Sequence, residues 1–236
     1  VAFETAPQTD LLVWTTTPWT LPGNVAVAVH PLVDYVLAKR GDRRGWIAKP
    51  LYEKLKEKLG LGDATETKKG SALVGLKYKH PLFGHECPVV SAEYVTVEDG
   101  TGLVHTAPGH GEDDYQTGLR HNLPILSPVD EGGFFTEEAG PWKGLRVFDA
   151  NPKIVEDLRD RGVAIVFVSH RLEEVFEIAD RITVFPDGRL ISTRPRSEMT
   201  PQRAFADMVG REVGLFEPRP SAERGDVVLS VRGLGR

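Results

Sequence analysis

The sequence has few of the residues that mark a secreted or membrane-embedded protein. Only one of its 236 residues is a cysteine, Cys87, so no disulfide can form within the chain, as is typical of proteins from a reducing cytosol. No apolar run is long enough to cross a bilayer, and the first residues do not form a secretory signal. We therefore expect a cytoplasmic protein whose N-terminal part has no contact with a membrane.

An excess of positive charge is also missing. The chain has 29 lysines and arginines against 34 aspartates and glutamates, which gives a formal net charge of -5. This balance argues against a protein that coats nucleic acid without specificity, but it allows a domain that receives only the end of a nucleic acid held elsewhere. The basic residues are concentrated between positions 39 and 69, which is equally typical of a solvated face and of an RNA-facing patch.

Two patterns that support catalysis in other proteins are absent. The chain has no Gly-x-x-x-x-Gly-Lys-Ser/Thr phosphate-binding loop, so we expect no ATP hydrolysis. No Ser-His-Asp or Cys-His arrangement is evident, and Cys87 lies outside the motifs described below. A reaction through a covalent enzyme intermediate is therefore not expected.

Many short apolar stretches separated by glycine and proline predict the fold. This pattern favours an α+β fold, with a barrel-like β domain and peripheral helices, over a parallel α/β sheet. We predict helices over residues 50–60 and 112–121, with a polar loop over residues 63–70. Strands are predicted over residues 10–13, 25–29, 35–38, 46–48, 73–74, 89–90, 94–97 and 103–105.

The character of the sequence changes at Gly162. Residues 163–168 form an apolar, β-rich run that predicts a buried parallel strand. A helix, a hairpin and a second helix capped by Thr200 are predicted to follow. We therefore divide the chain into a domain of residues 1–161 and a small, incomplete α/β fragment of residues 162–236.

The first motif, Trp-Thr-Thr-Thr-Pro-Trp-Thr-Leu-Pro-Gly-Asn, occupies residues 14–24. Its three consecutive threonines leave an apolar strand, and Pro18 and Pro22 then interrupt strand pairing because proline cannot donate a backbone hydrogen bond. The predicted result is a short rim of hydroxyl groups and free backbone amides beside two indoles, which suits a polar ligand. The alternative is a plain edge strand that ends in a proline-rich turn.

The second motif, Asp-Gly-Thr-Gly-Leu-Val-His-Thr-Ala-Pro-Gly-His-Gly-Glu-Asp-Asp-Tyr, occupies residues 99–115. Asp114 lies in the first turn of a predicted helix, where the helix dipole favours a carboxylate. It also lies nine residues after His105, just beyond a turn rich in glycine and proline. The dipole accounts for an acid at this place but not for its spacing from a histidine, so both residues are candidates for a site.

Together the two motifs resemble those of the editing domain, also named connective peptide 1, of isoleucyl-tRNA synthetases. The resemblance continues through residues 123–135, ends near residues 151–158 and covers roughly the first two thirds of the chain. It implies a barrel-like domain that hydrolyses the ester of valine misattached to isoleucine tRNA, since a pocket distinguishes one methylene by only ~1–3 kcal/mol. The chain lacks the His-Ile-Gly-His and Lys-Met-Ser-Lys-Ser motifs of the synthetic half, so we expect no amino-acid activation.

The resemblance implies a catalytic role for five residues. Asp114 pairs with the ammonium group of the substrate, and His105 limits the size of the substrate side chain. Thr15, Thr16 and Thr17 contact the amino acid, the terminal ribose and the attacking water. We expect this water to be held in place, with a neighbouring tRNA hydroxyl assisting, and no covalent intermediate.

Four further residues are candidates for substrate binding. Asn24 matches a polar residue near the adenosine end, while Trp14, Trp19 and His110 are weaker candidates because such residues are often core or loop residues. The expected partner is a tRNA 3′ end that carries an amino acid. No cofactor and no metal are expected, although the spacing of the two histidines and the last aspartate of the second motif leaves a zinc site as a lesser alternative.

The C-terminal part carries a second resemblance. Residues 163–175, 179–181 and 187–189 are similar to the end of a nucleotide-binding domain of sugar-importing ABC transporters. In this alternative His170 is the switch histidine near the γ-phosphate, residues 226–234, with a strand predicted over 226–231, match the start of a second nucleotide-binding domain, and a membrane permease is the partner. The Leu-Ser-Gly-Gly signature of that family is missing, as is the phosphate loop. A fusion near Gly162 therefore leaves two alternatives to the editing function: a transporter-ATPase fragment and a non-functional chimera.

Overall fold

The computed structural model describes residues 1–166, 172–186 and 189–209. The chain divides into two compact units, Val1–Val168 and Ser169–Arg236. His170 and the strand predicted at residues 226–231 lie outside the described residues, so both stay predictions.

The described part of the first unit contains nine strands and three α-helices. The strands are β1 (Ala2–Ala6), β2 (Thr9–Leu12), β3 (Ala26–Val29), β4 (Asp34–Arg40), β5 (Arg43–Ala48), β6 (Ala64–Lys69), β7 (Lys77–Lys79), β8 (Glu86–Ser91) and β9 (Leu103–Thr106). The helices are α1 (Lys49–Leu55), α2 (Glu112–Arg120) and α3 (Val147–Asp160). A 3-10 helix, Pro18–Gly23, follows the threonines of the first motif.

The nine strands form two sheets. In the first sheet the order is β1-β2-β5-β4-β6, and all neighbours are antiparallel except β2 and β5. In the second sheet the order is β7-β8-β3-β9, with β3 parallel to β8 and antiparallel to β9. Every residue of β3 is buried, because a central strand covered on both faces requires a continuous apolar run. Val27 of this strand is the register partner of His105 on β9, so β3 fixes the position of that histidine.

Both edges of the second sheet lie against the first sheet. At one edge, the ring centroids of Phe3 on β1 and Tyr78 on β7 are 5.2 Å apart. At the other edge, the backbone of Trp14, just beyond β2, forms a parallel bridge with Val104 on β9. One apolar core contains buried residues of both sheets. The α+β fold class predicted from the sequence is confirmed.

Helix α3 packs against the 3-10 helix and supports it. Leu21 of the 3-10 helix is fully buried in the same core as the apolar face of α3. That face consists of residues at helical spacing, namely Val147, Ala150, Ile154, Val155 and Leu158. From the sequence, residues 157–162 suit the end of a helix, but the start of the helix is not evident because Pro152 lies inside it, and proline disfavours a helix interior.

Three predictions of local structure within residues 1–161 were wrong. Residues 63–70, predicted as a polar loop, contain the edge strand β6, whose six residues are all exposed and lack the alternation of a half-buried strand. Residues 73–74 and 94–97, predicted as strands, lie in turns and irregular segments, although Leu73 and Val95 are buried. Apolar side chains fill the core there without strand pairing, which a short apolar run does not distinguish from a strand.

The run of residues 163–168 was predicted as a buried parallel strand, and residues 163–166 are irregular instead. The carbonyl oxygen of Ala164 accepts a hydrogen bond from the backbone amide of Ala2, at 3.2 Å. The described part of the run therefore borders β1 without forming a ladder. Residues 167 and 168 lie outside the described residues.

The described residues of the second unit form two helices and a hairpin. They contain α4 (Leu172–Ile178), β10 (Arg181–Val184), β11 (Ser192–Pro195) and α5 (Pro201–Val209). β10 and β11 pair antiparallel, and the hydroxyl oxygen of Thr200 accepts a hydrogen bond from the backbone amide of Arg203, at 3.2 Å. The helices, the first strand of the hairpin and the Thr200 cap that the sequence predicts are confirmed, whereas the second strand, predicted at residues 190–191, lies at residues 192–195. Among the helices of the described residues, none has the length and apolar character to cross a bilayer.

We predict that Gly102, three residues before His105, does not tolerate a side chain. Its φ of +74° lies in the left-handed region, and a Cβ atom there would be 2.3 Å from the Cβ atom of Ala48. Gly102→Ala is expected to lower the free energy of unfolding by about 3 kcal/mol, because backbone strain and overpacking add. Urea titration followed by tryptophan fluorescence measures this, since all four tryptophans lie in the first unit.

Gly41→Ala is the matched control. Gly41 has a similar backbone, with φ of +58°, but no described atom lies within 4 Å of its Cβ position. Strain alone predicts a loss of about 1 kcal/mol for this variant. Equal losses in the two variants would contradict the importance of the contact with Ala48.

Candidate active site

The three threonines of the first motif form a polar turn at the surface. The backbone amide of Thr17 donates to the hydroxyl oxygen of Thr15, at 3.2 Å, and the two hydroxyl oxygens are 3.5 Å apart. Thr15 and Thr17 are partly buried, while Thr16 is exposed. The turn therefore presents hydroxyl groups from a backbone that its own hydrogen bonds hold in place.

Thr20 links this turn to the core, and we did not identify it as a site residue from the sequence. Its amide and its hydroxyl both donate to the carbonyl oxygen of Thr17, at 3.0 and 2.8 Å. Its hydroxyl oxygen also lies 2.8 Å from Nε2 of His105. The sequence does contain a sign of this role. Thr20 follows Thr17 by three residues, and a 3-10 helix places residues three apart on the same side.

His105 is buried in β9 and has a partner at each ring nitrogen. Nε2 faces the hydroxyl of Thr20, and Nδ1 lies 3.2 Å from the side-chain nitrogen of Asn24. Only 7% of the residue is exposed, and this burial, together with a smaller effect of His110, lowers the pKa of His105 to about 4. The imidazole is therefore neutral at physiological pH.

Asn24 is fully buried, so its position does not support the predicted contact with the adenosine end of a tRNA. Its side-chain nitrogen donates to the carbonyl oxygen of Ala26, at 2.9 Å, and faces His105. Its side-chain oxygen accepts a hydrogen bond from the hydroxyl of Tyr78. Asn24 thus fixes the Nδ1 side of the His105 ring inside the core. Its position in the motif does not indicate this role.

Asp114 lies in the first turn of α2, where its carboxylate reaches back toward β9. One oxygen accepts a hydrogen bond from the backbone amide of Ala107, and the other accepts one from the hydroxyl of Tyr94, both at 2.9 Å. Burial raises the pKa of Asp114 above its usual value, and the two hydrogen bonds oppose this effect. Ala107 is two residues beyond His105. Its hydrogen bond therefore holds the Asp114 carboxylate beside the end of β9, the strand that carries His105.

His110 of the second motif contacts Trp19 of the first. Their rings meet edge to face, with centroids 5.1 Å apart and planes at 76°. A Cβ atom at Gly23 would be 3.1 Å from Nε2 of His110, so the glycine admits the ring against the 3-10 helix. Burial lowers the pKa of His110, while the charge of Asp114 opposes this shift. The structure thus brings His110 and Trp19 to the contact between the 3-10 helix and the loop before α2.

Trp14 directly precedes Thr15, but its side chain faces a hollow that is separate from the contacts around His105 and Asp114. Half of Trp14 is exposed, at 51%, and its indole packs beside Gly100. The hollow has a volume of about 350 Å³, and Leu51 and Leu55 also line it. None of the described residues that line this hollow belongs to the group around His105 and Asp114.

The zinc alternative is not supported. In the part of the chain that the structure describes, no group of three His, Cys, Asp or Glu side chains could hold a metal ion. The geometry gives a reason, because both ring nitrogens of His105 already face Asn24 and Thr20.

Comparison with known proteins gives a family for the first two thirds of the chain. The family described as "Leucyl-tRNA synthetase, editing domain" matches residues 1–137. The isoleucine-tRNA ligase of Acholeplasma laidlawii is 58% identical over 159 residues, which are 66% of this chain and 18% of the ligase. That of Fervidobacterium nodosum is 52% identical over 167 residues, or 70% of this chain and 18% of the ligase. The chain thus spans 18% of the length of these relatives.

A solved structure shows the same fold. The crystal structure of GlLeuRS-CP1 covers 68% of this chain and 84% of its own, with a TM-score of 0.56 and 18% sequence identity. At this identity the likeness concerns the fold alone. These matches give no support to the transporter-ATPase alternative. The chain belongs to the editing-domain family of class I aminoacyl-tRNA synthetases, and its relatives over residues 1 to about 160 are isoleucine-tRNA ligases.

Proposed function

We propose that residues 1–161 form the editing domain of an isoleucyl-tRNA synthetase and hydrolyse the ester that joins valine to isoleucine tRNA. One observation carries this proposal: the turn of Thr15 and Thr17 is hydrogen-bonded through Thr20 to a buried histidine, and Asp114 is fastened beside the same strand. Such a group combines hydroxyls, a neutral imidazole and a carboxylate at one end of β9.

Asp114 binds the α-ammonium group of the substrate. Each of its oxygens accepts one hydrogen bond from the protein, which leaves a further lone pair on each for the ammonium. A hydrogen bond between two charged groups is about twice as strong as a neutral one. This carboxylate therefore identifies an amino acid by its positive charge, and it orients the ester next to β9.

His105 forms the wall that limits the size of the amino-acid side chain. It is a poor general base, because burial keeps its pKa near 4 and both of its ring nitrogens are already engaged. A wall of this kind admits valine and rejects isoleucine, which is one methylene longer. Discrimination here is steric, in contrast to the charge recognition at Asp114.

Hydrolysis proceeds by attack of a water that the hydroxyls of the threonine turn hold. The water oxygen forms a bond to the ester carbonyl carbon, and the bond between that carbon and the ribose oxygen breaks. The water proton passes to the ribose oxygen, with the neighbouring ribose hydroxyl assisting, so that valine and free tRNA are the products. The partner is the 3′ end of a tRNA, and no cofactor takes part.

The interpretation of residues 162–236 stays a prediction. A transporter-ATPase fragment would need nucleotide bound near His170, which lies outside the described residues. Tight ATP binding by the purified chain would favour that alternative. Its absence, together with deacylation of Val-tRNA, would favour the editing function in a cytoplasmic synthetase.

We predict that Asp114→Asn slows deacylation of Val-tRNA(Ile) by roughly 10- to 100-fold. The variant removes a charge-assisted hydrogen bond to the ammonium, which is worth about 1.5–3 kcal/mol. Release of radiolabelled valine from mischarged tRNA measures the rate. Asp113→Asn is the matched control, since Asp113 is the preceding carboxylate of α2 and is exposed. Equal rates for the two variants would contradict the role of Asp114.

We predict that His105→Ala lets correctly charged Ile-tRNA(Ile) be hydrolysed, with a rate increase of roughly tenfold or more. The space left by the imidazole accepts the additional methylene, and a methylene is worth about 10- to 200-fold in discrimination. His121→Ala is the control, because it also removes a hydrogen-bonded imidazole but from the end of α2. If Ile-tRNA stays protected in His105→Ala while Val-tRNA is still hydrolysed, the size-limiting role is wrong.

A further inference from the structure

Tyr78 is a buried phenol that lies outside both motifs, on β7. Only 1% of the residue is exposed, and its hydroxyl donates a hydrogen bond to the side-chain oxygen of Asn24. Burial raises the pKa of Tyr78 well above its usual range. The phenol therefore keeps its proton at physiological pH and acts as a hydrogen-bond donor to Asn24.

Two contacts of the Asn24 amide determine the direction of the hydrogen bonds that follow: its oxygen accepts from Tyr78, and its nitrogen donates to the carbonyl oxygen of Ala26, at 2.9 Å. The amide oxygen of Asn24 can only accept, so the amide nitrogen, which can only donate, faces Nδ1 of His105. Nδ1 must then be the acceptor. Since a neutral imidazole carries one proton, that proton lies on Nε2.

The same logic extends from His105 to the threonine turn. Nε2–H donates to the hydroxyl oxygen of Thr20, which lies 2.8 Å away. The hydroxyl proton of Thr20 is then free to point at the carbonyl oxygen of Thr17, also at 2.8 Å. Four hydrogen bonds thus run in one direction, from the Tyr78 phenol to the carbonyl of the turn.

We propose that Tyr78 is a positioning residue for the editing reaction, which through Asn24 sets the tautomer of His105 and directs the Thr20 hydroxyl onto the Thr17 carbonyl. Only the effect on hydrolysis rests on the proposed function. If the Asn24 amide turned over, Nδ1 would carry the proton and Nε2 would accept from Thr20. The Thr17 carbonyl would then lose its hydroxyl partner and keep only the backbone amide of Thr20, at 3.0 Å.

The tautomer of His105 can be read directly. In the wild-type chain labelled with ¹⁵N at histidine, we expect His105 to show a protonated Nε2 and an unprotonated Nδ1. In Tyr78→Phe the amide of Asn24 loses one of its two orienting contacts and keeps the one to the Ala26 carbonyl, so a minor signal of the tautomer with a proton on Nδ1 should appear. Tyr52→Phe is the control, because it removes another buried phenol hydroxyl, which donates to the carbonyl of Gly62 at 2.7 Å.

Kinetics then connect the tautomer to the reaction. Tyr78→Phe should lower kcat for Val-tRNA(Ile) deacylation by roughly five- to tenfold, the equivalent of one hydrogen bond of ordinary net strength. KM should change by less than about twofold, because the carboxylate that binds the ammonium is untouched. Tyr52→Phe should leave both constants and the tautomer of His105 as in the wild type.

Each result decides the proposal. If His105 of the wild-type chain has its proton on Nδ1, the proposal is wrong. This measurement uses the wild-type chain only, so it does not depend on whether a variant folds. An unchanged tautomer in Tyr78→Phe overturns the proposal as well, even if kcat falls, because the effect would then be one of stability alone. A changed tautomer with unchanged kcat refutes the link to catalysis. If the wild type hydrolyses no Val-tRNA, the proposed function fails, while the ¹⁵N spectra still show whether Tyr78 sets the tautomer.

Discussion

The buried hydrogen bond between Thr20 and His105 is the contact on which the candidate site depends. It joins residues 85 positions apart in the chain, one on the 3-10 helix and one on β9. Helix α3 supports the first of these elements and β3 supports the second. Because His105 is buried, loss of the contact would leave its Nε2 atom without a partner, at about 1–3 kcal/mol, while the Thr20 hydroxyl keeps the Thr17 carbonyl. The two motifs are therefore held together as one unit and do not approach each other loosely.

Burial acts on the two titratable residues of the site in the same physical way but with opposite results. Removal from water disfavours the charged form, which lowers the pKa of His105 and raises that of Asp114. The histidine has partners suited to a neutral ring, whereas the aspartate has two donors that favour its charged form. A bound ammonium would oppose the desolvation of the carboxylate further. In the proposed function, the charged form of Asp114 thus becomes more favourable when an ammonium group is bound.

Much of the scaffold follows from local sequence pattern, whereas the contacts within the site do not. The apolar run of β3 and the acidic first turn of α2 are visible in the sequence, and so is the likeness of the two motifs to a known family. Thr20 and Tyr78 were missed because their roles come from partners far along the chain, Tyr78 being 54 positions from Asn24. Periodicity reports which face of an element is buried, and it does not report which polar atoms meet inside. The edge strand β6 was missed for the converse reason, since an exposed polar strand has no apolar periodicity to detect.

The polar contacts behind His105 are of the size that a steric filter requires. Moving a side chain about 30° from its rotamer costs only about 0.5–1.5 kcal/mol. An imidazole held by packing alone would therefore yield to a substrate whose extra methylene is worth ~1–3 kcal/mol. Hydrogen bonds at both ring nitrogens add a further cost, because a displaced ring loses its contacts with Asn24 and Thr20 and leaves its own buried nitrogens unpaired. In the proposed function, a wall that rejects one methylene has to cost more free energy to displace than that methylene is worth, and the hydrogen bonds at both ring nitrogens of His105 supply this additional cost.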